Sequence, residues 1–143
     1  MTDTQQIRDL LQARADALHA RDAQAVVAFL AEDVVSYDLD PPLAHATGRA
    51  HEKSGLEAWF ATWSTPIGSE VRDQHVEVSG DLASAYSLIH MTGAKTDGET
   101  VDLWFRSTIC LRRIEGAWKI VHQHASTPFY MDGSYRAATD LRP

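Results

Sequence analysis

The second half of the chain is divided by three short turn signals, which constrain the fold more than any other feature of the sequence. The signals are Gly80-Asp81, Asp97-Gly98 and Glu115-Gly116. Each lies between runs rich in β-branched and aromatic residues, which is the pattern of a β-hairpin. The sequence from residue 70 onward therefore predicts four antiparallel strands in a meander.

The first half of the chain has the apolar spacing of helices. A stripe of apolar residues predicts a helix over residues 3–20, and Asp22 is placed to cap a second helix, AQAVVAFLAED. A strand, VVSYDL, follows and ends at Pro41-Pro42. The third helix is predicted from the i, i+3, i+4, i+7 spacing of Leu56, Trp59, Phe60 and Trp63. Helices that precede a meander pack on one face of its sheet, so residues 1–143 are predicted to form a single α+β domain.

The bulk composition narrows the class of partner. The chain has a formal net charge of -7, which disfavours phosphate backbones and anionic lipid heads, so neither nucleic acid nor a membrane is an expected partner. No apolar run approaches the roughly 20 residues of a membrane span. The polar N-terminus does not have the pattern of a signal peptide, and the lone Cys110 fits a reducing compartment. A cytoplasmic location is therefore expected.

The hairpin turns also predict which side chains share a face, because a two-residue turn fixes the register of its strands. Pairing across the second turn places His90 opposite Phe105, and pairing across the third places Ser107 opposite His124. The predicted core face then carries Tyr86, Leu88, His90, Leu103, Phe105, Ser107, Ile109, Leu111, Trp118, Ile120, His122 and His124. A β-bulge in one of these strands would exchange the two faces for the residues beyond the bulge.

The opposite face of the predicted sheet is also apolar. It carries Ile89, Met91, Trp104 and Val121, a cluster too apolar for a face in contact with water. The expected cover is a second copy of the chain. The sequence therefore predicts a homodimer through the Trp104 face.

The last predicted strand resembles that of a known superfamily. GAWKIVHQHAS over residues 116–126, followed by Pro128-Phe129, is similar to the last strand of SnoaL-like and ketosteroid isomerase-like domains in the nuclear-transport-factor-2-like superfamily. It is also similar to the last strand of the association domain of calcium/calmodulin-dependent kinase II. The resemblance extends to the order of elements over nearly the whole chain. It implies a cone-shaped, curved antiparallel sheet with three N-terminal helices on its concave face, the cystatin-like α+β barrel.

Asp38 is the first candidate for chemistry. The segment SYDLDPP resembles the one in which ketosteroid isomerases carry their general base, with Asp38 in the corresponding position. A carboxylate at the apolar mouth of a cone could move a proton. The alternative is that Asp38 or Asp40 only stabilises the turn at Pro41-Pro42.

Arg14 interrupts the apolar stripe of the first predicted helix. By resemblance, it stands where ketosteroid isomerases carry the tyrosine that stabilises an oxyanion, so steroid isomerisation is not expected. An inward arginine would instead be a fixed cation for a carboxylate or an enolate. The alternatives are a side chain that reaches the rim with its stem on apolar surface, and a salt bridge to Asp38.

Three histidines are predicted to converge on the core face near Ser107. His122 and His124 lie two residues apart on one strand, and His90 lies on a nearby strand. Imidazoles at these positions could act as acid or base, bind a metal, or only hydrogen-bond a buried polar group. By resemblance no metal or cofactor is expected, because members of the superfamily seldom use a metal.

The other predicted pocket residues are Tyr86, His90, Trp59, Trp63, Phe105 and Ser107. Trp59 and Trp63 are expected chiefly to pack the third helix on the sheet and also to line an apolar cavity. The apolar stretch PFYM over residues 128–131 is expected to fold over the pocket mouth or to cross to a partner subunit.

The sequence therefore favours a small-molecule pocket protein, with a cofactor-free acid/base enzyme of the isomerase, cyclase or dehydratase type as the leading hypothesis. Asp38 would be the base and Arg14 would stabilise negative charge, while His122 or His124 would be the acid or orienting group. The substrate would be a small, partly apolar organic molecule, a carboxylate being one candidate. The alternatives are a non-catalytic ligand-binding or dimeric assembly module, and a metal enzyme built on the three histidines.

Overall fold

The computed structural model describes residues 1–143 and contains three helices and five strands. The helices are α1 (Asp3–His19), α2 (Ala23–Val27) and α3 (Arg49–Phe60). The strands are β1 (Leu30–Tyr37), β2 (Gly68–Ser79), β3 (Leu82–Ala94), β4 (Thr100–Ile114) and β5 (Ala117–Ser126). This is the predicted order of elements, and the α+β class is confirmed. None of the helices is both long and apolar enough to cross a lipid bilayer.

The five strands form one curved, unclosed sheet in the order β1-β5-β4-β3-β2. Strands β2 to β5 pair in antiparallel succession, which confirms the predicted meander. Strand β1 pairs with β5 in parallel, so the sheet is mixed. The sheet expected from the sequence is wholly antiparallel, and this part of the expectation is wrong. The difference arises because α3, and not a hairpin turn, connects β1 to the meander, and such a connection allows either strand direction.

Side-chain caps fix where α1 and α2 begin. The Thr2 hydroxyl accepts a hydrogen bond from the Gln5 amide at 3.1 Å, and the Asp22 carboxylate accepts one from the Ala25 amide at 3.1 Å. Helix α2 is shorter than its apolar pattern predicts. The chain instead enters β1 at Leu30, whose side chain is buried in the core of the domain.

The core lies between the helices and the concave face of the sheet, in two clusters. The first joins Ile7 of α1 and Val34 of β1 to residues of the meander such as Ile120. The second contains Phe60 and Trp63, at and just beyond the end of α3. Trp63 has only 2% of its surface exposed, so this predicted pocket residue belongs to the core.

The hairpin between β3 and β4 differs from the predicted register by one residue, because Ile89 and not His90 lies opposite Phe105. The chain turns through residues 95–99, and the Lys95 amide donates to the Glu99 carbonyl at 2.8 Å, so the turn is longer than two residues. Side chains alternate along a strand, so this shift exchanges the two faces of β3. The predicted core residues that lie on the outer, convex face instead are Tyr86, Leu88 and His90.

A β-bulge at Val121 changes the faces of β5. The predicted pairs persist as far as Ile120, but the next paired residue is His122, so Val121 is an extra residue on this strand. Gln123 consequently points to the concave side. The predicted core-face position of His122 is therefore wrong, whereas His124 still lines the cavity.

The residues after β5 pack on the outer face of the sheet. Phe129 and Ala137 form an antiparallel bridge, and Leu141 and Arg142 lie beside Trp104. No residue beyond β5 lines the concave cavity, so the predicted fold over the pocket mouth is wrong. These residues cover part of the apolar face that the sequence assigns to a second subunit.

Candidate functional site

A cavity of about 460 Å³ lies between the concave face of the sheet and the helices. This volume is within the range of small-molecule sites, roughly 300–1,000 Å³. The wall is mainly apolar and includes Leu18, Leu56, Trp59, Ile89, Met91 and Phe105. Three of the predicted pocket residues, Trp59, Phe105 and Ser107, line it.

Four side chains from α1, β1, α3 and β5 form a hydrogen-bonded group on one side of the cavity, which we call the polar cluster: Arg14, Ser36, Glu52 and Gln123. The Gln123 amide is at its centre. Its Oε1 accepts a hydrogen bond from Arg14 Nη2 at 3.0 Å. Its Nε2 donates to Ser36 Oγ at 2.9 Å and to Glu52 Oε2 at 3.3 Å. A guanidinium only donates and a carboxylate only accepts, so chemistry fixes the orientation of this amide.

Arg14 enters the cavity wall from α1 and is only partly hydrogen-bonded. Its Nε is enclosed and has no partner, and its Nη1 makes no hydrogen bond within the protein. No carboxylate oxygen lies within 4.0 Å of the guanidinium, so the alternative of a salt bridge to Asp38 is not realised. Burial lowers the pKa of Arg14, while the charges of Asp38 and Glu52 oppose that shift. Arginine stays protonated in proteins, so a cation whose Nη1 has no partner within the protein lies in the cavity wall.

Asp38 directly follows β1 and lines the cavity, where the sequence places it. Its Oδ1 accepts a hydrogen bond from the Leu39 amide at 2.8 Å, and its Oδ2 has no partner. Asp40 lines the same cavity and pairs with His45, with 3.1 Å between Asp40 Oδ1 and His45 Nε2. Both aspartates therefore stabilise the loop after β1, and one oxygen of Asp38 remains available to a ligand.

The three predicted histidines are not brought together. His124 lines the cavity and is exposed. His122 does not line it, and its Nδ1 donates to the Val35 carbonyl at 2.7 Å. His90 is on the outer face, where its Nε2 lies 2.5 Å from Asp102 Oδ1. No group of three or more His, Cys, Asp or Glu side chains is placed to hold a metal ion, so the predicted three-histidine metal site is not assembled.

Tyr86 also lies outside the cavity. Its ring stacks on that of His75 with 5.0 Å between the ring centroids, and 41% of the residue is exposed. The predicted place of Tyr86 in the pocket is wrong because of the same one-residue shift that moves His90.

Three residues of the polar cluster, Ser36, Glu52 and Gln123, are not predicted from the sequence. Glu52 precedes Leu56 by four residues and Trp59 by seven, so it shares the apolar face of α3, and this spacing is a signal that the sequence carries. Gln123 has no such signal. Its alternation with its neighbours assigns it to the outer face, and only the bulge at Val121 turns it inward.

A curved sheet with helices on its concave face and a cavity between them defines a small α+β domain built around an internal cavity. The sequence profile of the SnoaL-like domain matches residues 7–130, and the chain belongs to this family. A comparison with curated proteins finds no match.

Solved structures place the family within a wider superfamily. An NTF2-like protein of unknown function from Pseudomonas putida KT2440 is 29% identical, with a TM-score of 0.87 over 100% of this chain and 99% of that one. A protein proposed to be an aromatic ring hydroxylase from Novosphingobium aromaticivorans is 27% identical, with a TM-score of 0.78 over 87% of each chain. A ketosteroid isomerase-like protein from Erwinia carotovora atroseptica is 22% identical, with a TM-score of 0.72 over 85% and 92%, and shows the fold alone. The predicted SnoaL-like, nuclear-transport-factor-2-like membership is confirmed.

Proposed function

We propose that this protein is a cofactor-free enzyme that moves a proton on a small, partly apolar organic molecule held in the concave cavity. The observation that carries the proposal is the presence, on one mainly apolar cavity, of Asp38 with a free carboxylate oxygen and of Arg14, whose Nη1 makes no hydrogen bond within the protein. A carboxylate that takes a proton and a cation that faces the developing charge are complementary parts of one proton transfer.

The roles follow from the chemistry of the two groups. Asp38 would take a proton from a carbon next to a carbonyl, so that the electron pair of that C–H bond forms a C=C bond and the π pair of the carbonyl moves onto its oxygen. Arg14 Nη1 is the donor available to the resulting enolate oxygen. General base catalysis contributes about 10²–10⁴-fold to a rate, and one oxyanion donor about 10²–10³-fold. His124, which lines the same cavity, would donate a proton of its own at a second position of the substrate, after which Asp38 would release its proton to water and His124 would regain one from water.

The apolar wall is consistent with a ring compound as the substrate. Trp59 and Phe105 provide aromatic surface, and small-molecule sites combine such surface with a few placed polar groups. The relative that is 27% identical is proposed to act on an aromatic ring, which supports a substrate of this shape. The reaction class of that relative is not carried over to this chain.

A non-catalytic ligand-binding module is the second candidate. The observation that favours it is the hydrogen bond between Asp38 Oδ1 and the Leu39 amide, because it gives this exposed aspartate a structural task in its loop. The cavity would then hold its ligand unchanged.

Hydrogen–deuterium exchange of β-tetralone in D2O, followed by NMR, tests the proposal without knowledge of the natural substrate. We expect the protein to accelerate exchange of the hydrogens next to the carbonyl, and Asp38→Asn to reduce that rate by about 10²-fold or more. Asp33→Asn, an exposed aspartate on β1, is the matched control and should keep the wild-type rate.

Equal exchange rates for Asp38→Asn and the wild type would remove Asp38 as the base. Binding of β-tetralone without any exchange above the buffer rate would instead identify the cavity as that of the binding module.

A further inference from the structure

We infer that the cavity selects a neutral ligand bearing a carbonyl or hydroxyl oxygen over a carboxylate, because two carboxylates already offset the charge of Arg14. The ligand in question is the one that the proposed enzyme would act on, so this step rests on the proposed function. A neutral substrate of this kind differs from the carboxylate that the sequence analysis gives as one candidate.

The cavity wall carries more negatively charged than positively charged side chains. Arg14 is the one arginine or lysine among them. The carboxylates are Asp38, Asp40 and Glu52. Asp40 has a partner of its own in His45, at 3.1 Å, which leaves Arg14 facing the other two. A carboxylate brought in by a ligand would therefore meet more negative than positive charge.

Gln123 keeps Arg14 and Glu52 from forming a direct ion pair. Its amide accepts from Arg14 Nη2 at 3.0 Å and donates to Glu52 Oε2 at 3.3 Å, so it lies between the two charges. No carboxylate oxygen comes within 4.0 Å of the guanidinium. The charge of Arg14 is thus offset through space, and screening by salt is weak for partly buried groups. Its Nη1 meanwhile makes no hydrogen bond within the protein and is the group that can donate to a neutral acceptor oxygen.

This arrangement suits a substrate that is neutral when it binds and negative only in the transition state. Interactions accelerate a reaction only where they are stronger in the transition state than in the bound substrate. A ligand carboxylate would occupy Nη1 of Arg14 from the start, and no donor of Arg14 would remain for charge that develops later. With a neutral carbonyl oxygen, the hydrogen bond from Arg14 strengthens only as negative charge develops on that oxygen, so it stabilises the transition state more than the bound substrate.

The test is the affinity of the wild-type protein for three probes that share one ring system: β-naphthoate, β-naphthamide and methyl β-naphthyl ketone. The affinities are measured by calorimetric titration at about pH 8, which lies well above the ordinary pKa of a carboxyl group, so the naphthoate is ionised while the amide and the ketone are neutral. We expect the amide and the ketone to bind at least about tenfold more tightly than the naphthoate.

Variants test the cause of the preference. Glu52→Gln keeps the shape of the side chain and removes one negative charge, so the affinity ratio should move toward naphthoate by about tenfold. Glu57→Gln is the matched control, because Glu57 is on the same helix, bonds to Lys53 and does not line the cavity. Asp38→Asn, at an exposed position, should shift the ratio in the same direction as Glu52→Gln.

A wild-type preference for naphthoate would overturn the selectivity and leave the proposed proton transfer standing. If the wild type prefers the neutral probes but neither Glu52→Gln nor Asp38→Asn moves the ratio, the two carboxylates are not the cause of the preference, and the inference is overturned while the proposed proton transfer stands. If none of the three probes binds, the cavity is not a site for ring compounds of this size, and the proposed function fails with the selectivity.

Discussion

At the scale of single residues, Gln123 organises the wall of the cavity. An amide is the neutral side chain that can accept from a guanidinium and donate to a carboxylate and a hydroxyl at the same time. Gln123 does all three, toward Arg14, Glu52 and Ser36. Ser36 is only 1% exposed, so the network reaches into the core, where an unpaired polar group is costly.

Gln123→Leu should lower the free energy of unfolding by about 1–3 kcal/mol, because it leaves buried polar atoms without partners. Urea titration followed by circular dichroism measures the change. Gln12→Leu, on the exposed side of α1 with a single side-chain bond to Asp16, is the control and should stay within about 0.5 kcal/mol of the wild type. A Gln123→Leu protein as stable as the wild type would show that water replaces the amide without loss.

At the scale of elements, the sequence predicts which segments are helices and strands but not the local register of the strands. Asp97 and Gly98 mark a turn correctly, yet the Asp97 carboxylate accepts from the Glu99 amide at 2.9 Å in a loop longer than the two-residue turn they suggest. Nothing local separates the two turn lengths, and a bulge such as that at Val121 leaves the alternation of residue types unchanged.

The candidate site shows the consequence of that limit. Arg14, Asp38 and Trp59 are located correctly because a helical face or a strand end places them, and neither depends on hairpin register. His90 and His122 are misplaced because their facing depends on counting residues from a turn. The face on which a strand residue lies depends on the register with the neighbouring strand, and a single sequence does not determine that register.

The C-terminal segment is an element whose attachment depends on charge. Arg142 donates to both carboxylate oxygens of Asp102, at 2.7 and 2.9 Å, and His90 lies 2.5 Å from the same carboxylate. The hydrogen bonds from Arg142 and then from His90 lower the pKa of Asp102 far below its ordinary value. A lowered pKa means that the ionised carboxylate stabilises the folded arrangement above the ordinary pKa of about 3.9, and that this contribution is lost as the pH falls toward the lowered value.

We therefore expect the attachment of residues 141–143 to the outer face to weaken progressively as the pH falls below about 4, and to be lost only as the pH approaches the lowered pKa of Asp102. The methyl resonances of Leu141, followed by NMR during acid titration, report the release. Asp102→Asn should release the segment already at neutral pH and remove the acid transition, whereas Asp33→Asn should preserve both. If the Leu141 resonances of Asp102→Asn match those of the wild type, apolar packing against Trp104 holds the segment and the ion pair does not.

At the scale of the whole molecule, the two faces of the sheet differ in what covers them. The concave face has the helices and the cavity, whereas the outer face is covered only near Trp104, by the C-terminal segment. Large apolar residues remain exposed on it, including Leu82 at 55% and Tyr86 at 41%. The same face carries charges of both signs, such as Arg72, Arg106 and Glu70. A second copy related by a twofold axis could bring opposite charges on such a face together.

We predict that the chain forms a homodimer through this outer face, with the Trp104 region as part of the contact. Light scattering over a range of protein concentrations should give twice the chain mass of 15.9 kDa. Tyr86→Glu would place an unpaired charge in the contact and should give a monomer, because burying such a charge is unfavourable. Leu43→Glu, in the loop after β1 and 100% exposed, is the control and should remain dimeric. A monomeric wild type would make this prediction wrong, and it would mean that the stacking of Tyr86 on His75 and the cover over Trp104 suffice to keep an apolar face in water.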